Sequence, residues 1–221
     1  MGVRDRVASG TPARQRELRA QGRATMQRLL DAGSQVFGER GFPAARVDDI
    51  VRAARTSHGT FYLYFTNKED LLAALASQCA QEVKGLAEGI GPIAAGPEGY
   101  VALRAFVADF IDVYRRHGAV IRAWMEGQVP DRKVDREGIA AFTAIGTRLG
   151  ERMHGAGSAR NLRAAVGALM ALLERFSYVV STRDVRQGED GSLDTLARLI
   201  HRGFFGAAVP AQAAGNSDTR T

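Results

Sequence analysis

The stretch LLDAGSQVFGERGFPAARVDDIVRAARTSHGTFYLYFTNKEDLL, residues 29–72, decides the fold. Its first part sets Leu29, Leu30, Gly33, Val36 and Phe37 at three- and four-residue spacing, and Met26 extends the stripe upstream. That spacing is one face of an α-helix, expected over about Arg19 to Arg40. Gly41 follows as a left-handed terminator, since a residue without Cβ enters that conformation freely. Phe42 and Pro43 then turn the chain. A short second helix is expected from Val47 to Ala54, with Asp48 and Asp49 in the first turn, where they complement the positive end of the helix dipole. Ser57 can cap backbone N–H groups two or three residues on, and so opens a third helix running to about Phe65. Thr66 and Glu69 have the spacing of a capping box that starts a long fourth helix through Leu71, Leu72, Leu75 and Cys79.

Two short helices joined by a turn of three to four residues, the second one capped, form a helix-turn-helix. The unit suits DNA because a helix fits the major groove and the N-terminal part of the second helix meets base edges there. Phe37, Gly41-Phe42, Asp49-Ile50, Ala54, Ser57, Gly59-Thr60-Phe61-Tyr62, Tyr64-Phe65, Lys68-Glu69 and Leu71-Leu72 together closely resemble the DNA-binding domain of the TetR family of regulators. The chain departs from that pattern twice, with Arg55 where the family usually has Gly and Arg46 where it often has Thr. A positive φ at Arg55 would cost some stability but could bring its guanidinium to a phosphate. Arg46 lacks the hydroxyl of a threonine cap and offers a charge instead.

The resemblance implies residue roles. His58 stands at the tip of the recognition helix, where it can donate to or accept from a base edge, and Thr60 is small enough to meet a thymine methyl. Tyr62 and Tyr64 place phenol hydroxyls where phosphates lie, and Lys68 adds a charge beside the N-terminus of the fourth helix. Arg46, Arg55 and Ser57 complete the DNA-facing set, while Phe61 and Phe65 belong to the core. The residues alone leave open a second reading, with Tyr62 and Tyr64 as half-buried packing groups and His58 as a solvated loop residue.

Charge follows this stretch. The 221 residues carry 30 Lys and Arg against 24 Asp and Glu, a net +6. Residues 1–66 hold eleven arginines against six acids, so most of the excess lies in the first third. A basic region of this kind favours a polyanion. Cys79 is the single cysteine, which excludes an intramolecular disulfide and a cysteine-based zinc cluster and fits a reducing cytoplasm. His117, His154 and His201 stand on separate helices without metal-ligand spacing, so no metal or cofactor is expected. No signal peptide is read at the N-terminus. The most apolar later stretch, Leu162 to Val180, is broken by Arg163, Glu174 and Arg175, so no membrane span is expected.

The rest of the chain shows helical periodicity without any alternating run long enough for a strand, and the expected class is all-α. Residues 1–20 read as a flexible basic arm, 21–68 as the helix-turn-helix domain, 69–208 as a larger helical body and 209–221 as a flexible tail. Breaks divide the body into helices of about Glu98 to His117, Ala119 to Gln128, Asp131 to His154, Ala159 to Thr182 and Ser192 to Ala207. Along Leu162 to Val180, one stripe (Leu162, Val166, Leu169, Leu173, Phe176) is bulky and a second surface (Ala164, Gly167, Ala168, Ala171) is small. A helix apolar on two sides needs two partners. One is the protomer's own core; the other is the same helix of a second subunit, joined by Leu193, Leu196, Ile200 and Phe204.

Phe106, Phe110, Tyr114, Trp124, Met125, Phe142, Met170 and Leu173 concentrate bulk in the body. Such residues line an apolar ligand pocket and equally fill a core. The resemblance, in which this region holds an effector site, favours the pocket; Arg122 and Glu126, beside Trp124, are candidate polar anchors, with a surface salt bridge as the simpler alternative. It implies a regulator, a repressor that binds a palindromic operator in double-stranded DNA as a homodimer and is released by a small, largely apolar ligand. A ligand-independent architectural DNA binder is the alternative reading. The chain has no nucleophile elbow, P-loop, dinucleotide fingerprint or carboxylate-histidine motif that would point to an enzyme.

Overall fold

The computed structural model describes residues 13–129, 131–155, 161–182 and 189–206. Its elements are α1 (Ala13–Arg40), α2 (Val47–Ala53), α3 (His58–Tyr62), α4 (Lys68–Glu88), α5 (Pro97–Met125), α6 (Arg132–Gly155), α7 (Leu162–Thr182) and α8 (Glu189–Ile200), closed by a π-helical turn at His201–Phe205. No strand occurs among the described residues, and the class is all-α. The expected tail at 209–221 and the first twelve residues of the expected arm lie outside the described residues. The remainder of that arm is helical, because α1 starts at Ala13 and not near Arg19.

Local signals set the element ends. Gly41 has φ +76°, and its N–H returns to the Phe37 carbonyl at 3.0 Å, which ends α1 as the glycine requires. α4 begins one residue later than the Thr66 and Glu69 spacing implies. The Asn67 side chain accepts from the Asp70 N–H at 2.8 Å, and an Asp70 carboxylate oxygen accepts from the Thr66 N–H at 3.0 Å. Asparagine caps as well as threonine or better, so the neighbouring residue took the role.

The body differs from expectation at two places. α5 runs unbroken across Gly118, where two helices were expected. A mid-helix glycine costs only about 1 kcal/mol. Here it makes room, since a Cβ at Gly118 would lie 3.2 Å from the Tyr114 ring. α5 instead ends at Gly127, φ +65°, with Gln128 N–H returning to Ala123 O at 2.7 Å. The last expected helix, Ser192 to Ala207, begins earlier at Glu189 and widens into the π-helical turn.

α4 is the spine, lying along α5 and α6 and meeting α1 at its start. A Cβ on Gly33 would lie 2.3 Å from a Leu71 methyl, so α1 crosses α4 in direct contact only because residue 33 is glycine. Met26, expected on the inner face, is 37% exposed, and the buried stripe starts at Leu29. α6 packs on α7 through Gly146 and Gly150, each 3.2 Å from a Val166 methyl at its missing Cβ. Between α4 and α5, Glu82 takes both Arg116 Nη2 (2.8 Å) and His117 Nε2 (2.9 Å). Burial alone would raise the Glu82 carboxyl, but the bonds from His117 and Arg116 outweigh it and hold the group below the usual carboxylate range.

Leu162–Ser181 is long and apolar enough to cross a membrane by length and composition, with mean hydropathy 1.4. In this fold Leu169, Leu173 and Ser177 are buried against the body. Ala164, Gly167, Ala168 and Ala171 form an exposed small-residue surface on the same helix. Leu196 and Ile200, assigned to a subunit contact by sequence, are 1% and 0% exposed within the protomer. They are core residues of this chain. The exposed apolar group of α8 is Leu199, at 62%.

Candidate nucleic-acid interface

The reading unit is α2 and α3 set on a small core of Phe37, Ile50, Val51, Phe61 and Phe65, all buried. α3 is shorter than expected, His58–Tyr62, and starts from Ser57, whose hydroxyl accepts the Thr60 N–H at 3.1 Å. α2 ends at Ala54, and Arg55 follows with φ 50°, the one non-glycine positive φ among the described residues. The Thr56 N–H reaches Val51 O at 3.0 Å and the Arg55 N–H reaches Arg52 O at 3.2 Å. These two bonds make a Schellman end with arginine in the glycine position, at a cost of about 1–2 kcal/mol. The turn places Arg55 outward and exposed.

Arg46, Arg55, Ser57, His58 and Tyr62 are exposed around α2 and α3, whereas Thr60 and Tyr64 are half-buried. Arg46 is the N-cap of α2 and makes no side-chain capping bond. Thr60 Oγ1 lies 3.0 Å from the Ser57 hydroxyl. The Tyr64 hydroxyl lies against α1, 3.5 Å from where a Cβ on Gly22 would sit. His58 Nε2 meets an Asp48 carboxylate oxygen at 2.5 Å, with both side chains more than half exposed. This partner was not foreseen, because the sequence explained Asp48 by the helix dipole alone. Leu63 was missed as well: at 81% exposure it stands beside Tyr62, an apolar group on the surface with the other reading residues.

Lys68 has protein partners that the sequence did not foresee. Its ammonium donates to the carbonyls of Phe42 (3.0 Å), Pro43 (3.1 Å) and Ala45 (3.0 Å) and lies 4.7 Å from the Phe42 ring centre. All three N–H groups are thus engaged in holding the turn between α1 and α2 against the start of α4, and the side chain is not a free charge awaiting a phosphate. Asp49, 12% exposed, receives Arg40 and Arg52 at 3.5 Å each and so holds the same turn from the other side.

The eight bulky residues expected around one pocket are not brought together. Phe110, Tyr114 and Leu173 are core, at 3%, 1% and 0% exposure, and Met125 is 71% exposed at the end of α5. Phe106 borders a separate cleft between α4 and α5. Phe142 and Met170 line an open apolar groove of 940 Å³ between α6 and α7, floored by Gly146, Gly150 and Val166, with Arg163 and His154 also along it. Trp124 is half-buried, edge-on to Phe142 with ring centres 6.0 Å apart, and its indole N–H is buried without a hydrogen-bond partner among the described residues. Arg122 and Glu126 do not reach this groove; Glu126 accepts from Gln128, and Arg122 donates toward α1. Periodicity reported the apolar faces, but the choice between filling and lining depends on how far apart two helices stand.

Comparison with known proteins agrees with this arrangement. Residues 29–75 match the family described as bacterial regulatory proteins, tetR family. The HTH-type transcriptional regulator YvdT of Bacillus subtilis is 27% identical over 114 residues, which cover 50% of this chain and 56% of that protein. Another B. subtilis regulator, YdgC, is 36% identical over 33% of this chain and 37% of its own length. The chain therefore spans about half or less of these curated relatives. Among solved structures, a tetR-family regulatory protein from Rhodococcus RHA1 superposes with a TM-score of 0.67 at 18% identity, covering 84% of this chain and 98% of that one. AibR, solved in complex with isovaleryl coenzyme A and operator DNA, gives a TM-score of 0.61 at 16% identity over 83% and 99% of the two chains. The chain thus carries, at residues 29–75, the DNA-binding domain of the TetR family of bacterial regulatory proteins, and the helical body behind it has the fold of a solved tetR-family protein.

Proposed function

We propose that the protein is a transcriptional repressor that binds a palindromic operator as a homodimer and releases it when a small, largely apolar ligand enters the body. The observation that carries the reading is the exposed recognition helix α3, capped by Ser57 and flanked by exposed Arg46 and Arg55, on a domain of the TetR family. Ser57, His58, Thr60, Tyr62 and Tyr64 are the remaining DNA-facing candidates. The small-residue surface of α7, with Leu199 on α8, is the proposed subunit contact, and a cytoplasmic location goes with the proposed DNA partner. The operator complex of AibR, a protein of the same fold, supports the DNA half of the reading. The test is selection from a random DNA pool: a palindrome with half-sites about one helical turn or somewhat more apart is expected, and an asymmetric single site would refute the dimeric mode.

Within that operator, His58 is expected to read a base. Its Nε2 faces Asp48, which leaves Nδ1 for a base edge. His58→Ala should change the preferred base at one position per half-site, shifting discrimination there by about 1–3 kcal/mol while leaving the salt dependence nearly unchanged. If binding instead weakens equally for all sequences, His58 is a positioning residue.

For the effector, the groove between α6 and α7 is the proposed entry, with Phe142 and Met170 on its walls and Trp124 behind Phe142. AibR's complex with isovaleryl coenzyme A makes short branched acyl groups, the apolar part of that thioester, the first probes. Ligand binding at the groove should change Trp124 fluorescence. DNA and ligand favour different head spacings, so saturating operator should raise the ligand's Kd by about five- to 150-fold, and ligand should raise the operator's Kd by the same factor. An effector that quenches Trp124 with equal affinity in both conditions would leave DNA binding standing but remove the sensor.

A further inference from the structure

The reading head is held to the body in two chemically different ways. Along α4 the contact is an apolar core, with Leu29, Leu30, Gly33 and Phe37 of α1 against Leu71, Leu72 and Leu75 of α4, to which Lys68 at the start of α4 adds its bonds to the carbonyls of residues 42, 43 and 45. Against α5 the contact is polar. A cleft of 790 Å³ runs along this seam, lined by Ser34, Gly38, Glu82, Arg116, His117 and Arg122 among others. Hydrogen bonds cross it one helical turn apart on α1, from Ser34 Oγ to Arg116 O at 3.3 Å and from Arg122 Nη2 to Gly38 O at 3.3 Å.

The second bond is the more informative. Gly38 lies in the last turn of α1, where carbonyls have no partner within the helix and carry the negative end of its dipole. A guanidinium there caps the helix that leads directly into Gly41 and the reading unit. The same guanidinium lies 5.9 Å from the centre of the Tyr178 ring on α7, and Arg175 lies 5.2 Å from that ring. Tyr114, one turn upstream of Gly118 on α5, donates to Glu174 of α7 at 3.1 Å. Burial first, and then Glu174, push the Tyr114 phenol well up, so it stays a proton donor. Arg122 is therefore where α1, α5 and α7 meet.

We propose that Arg122 is a positioning residue for two-site DNA reading: it latches the end of α1 to α5 and α7 and thereby fixes the angle of the reading head relative to the proposed dimer helix. This rests on the dimeric DNA-binding reading above. Lys68 pins the turn after α1 to the start of α4, and the apolar contact along α4 is non-directional, so the Arg122-to-Gly38 bond is the directed tie between the end of α1 and α5. The latch gives the body a route to the head that bypasses α4.

The test uses the full chain and the DNA it selects, with half-site spacers of native length and one or two base pairs longer. R122M keeps the stem and removes the donor; R122K restores a donor. Wild type should prefer the native spacer by on the order of tenfold, the scale of a misplaced base contact. R122M should lose most of that preference, to about twofold, while its melting temperature, dimeric state, preferred half-site bases and salt slope stay at wild-type values. R122K should recover a large part of the spacer preference. The latch is overturned if R122M keeps the wild-type spacer preference, if it fails to fold, or if its salt slope or base preference changes, which would make Arg122 a direct contact. Selection of no DNA by the wild type would instead remove the function proposed above, and the latch with it.

Discussion

Ala171→Asp is expected to convert the protein from dimer to monomer and to cut operator affinity by about a hundredfold or more, since two linked reading heads gain a factor of roughly 10² to 10⁴ over one. Ala171 is exposed on the small-residue surface of α7, together with Ala164, Gly167 and Ala168. Small residues let two helix backbones approach closely, so a carboxylate there would be buried between them with no room for a counter-charge or water. An unpaired buried charge costs about 3–5 kcal/mol. In the isolated protomer the site is open to solvent, so the fold itself should tolerate the change. Light scattering reads the oligomer and a DNA titration reads the affinity. Ile139→Asp, which places the same charge at a 57% exposed apolar position of α6, is the control and should remain dimeric. A dimeric A171D protein would move the subunit contact away from α7.

Phe61→Ala should abolish DNA binding by a different route. Phe61 is fully buried, with Phe65 at 5.8 Å and Tyr62 at 5.4 Å between ring centres, and it is the buried residue of a recognition helix only five residues long. A helix this short has no stability of its own and exists because its apolar face is anchored. Removing a buried phenyl ring costs about 3–5 kcal/mol. That loss should fall on the head, giving a lower melting temperature and loss of operator binding while the dimer persists in light scattering, because α7 and α8 lie in the body. Unchanged DNA binding by F61A would show that α3 does not depend on this anchor.

The two substitutions act at opposite ends of one linkage. A171D separates two intact heads; F61A removes the heads from an intact dimer. Loss of operator affinity in both, with opposite results in light scattering, is the pattern expected of a dimeric reader.

The helix-turn-helix was legible in the sequence because its signals are local. Gly41 ends a helix since glycine alone takes φ +76° without strain, Ser57 caps the backbone three residues on, and Phe61 and Phe65 fall on one face by helical period. At Arg55, where the TetR family usually has Gly, the sequence raised a positive φ only as a condition, and φ is 50°. Where a competing local choice existed, as between Thr66 and Asn67 for the cap of α4, adjacent residues could serve equally and only the folded backbone chose. The body was less legible because its questions are long-range. Periodicity shows that Leu196 and Ile200 share an apolar face, but not that this face is covered by the chain itself, leaving Leu199 exposed. It shows that Phe106, Met125 and Phe142 are bulky, but not that they border three different surroundings. A charge is the hardest case: Lys68 lies beside a helix N-terminus in sequence, yet three carbonyls from residues 42, 43 and 45 surround its ammonium in space. Sequence by itself determined the elements whose causes lie within a turn or two of chain. Tertiary structure alone decided which faces are covered and which charges are engaged, since those depend on what a distant helix brings alongside.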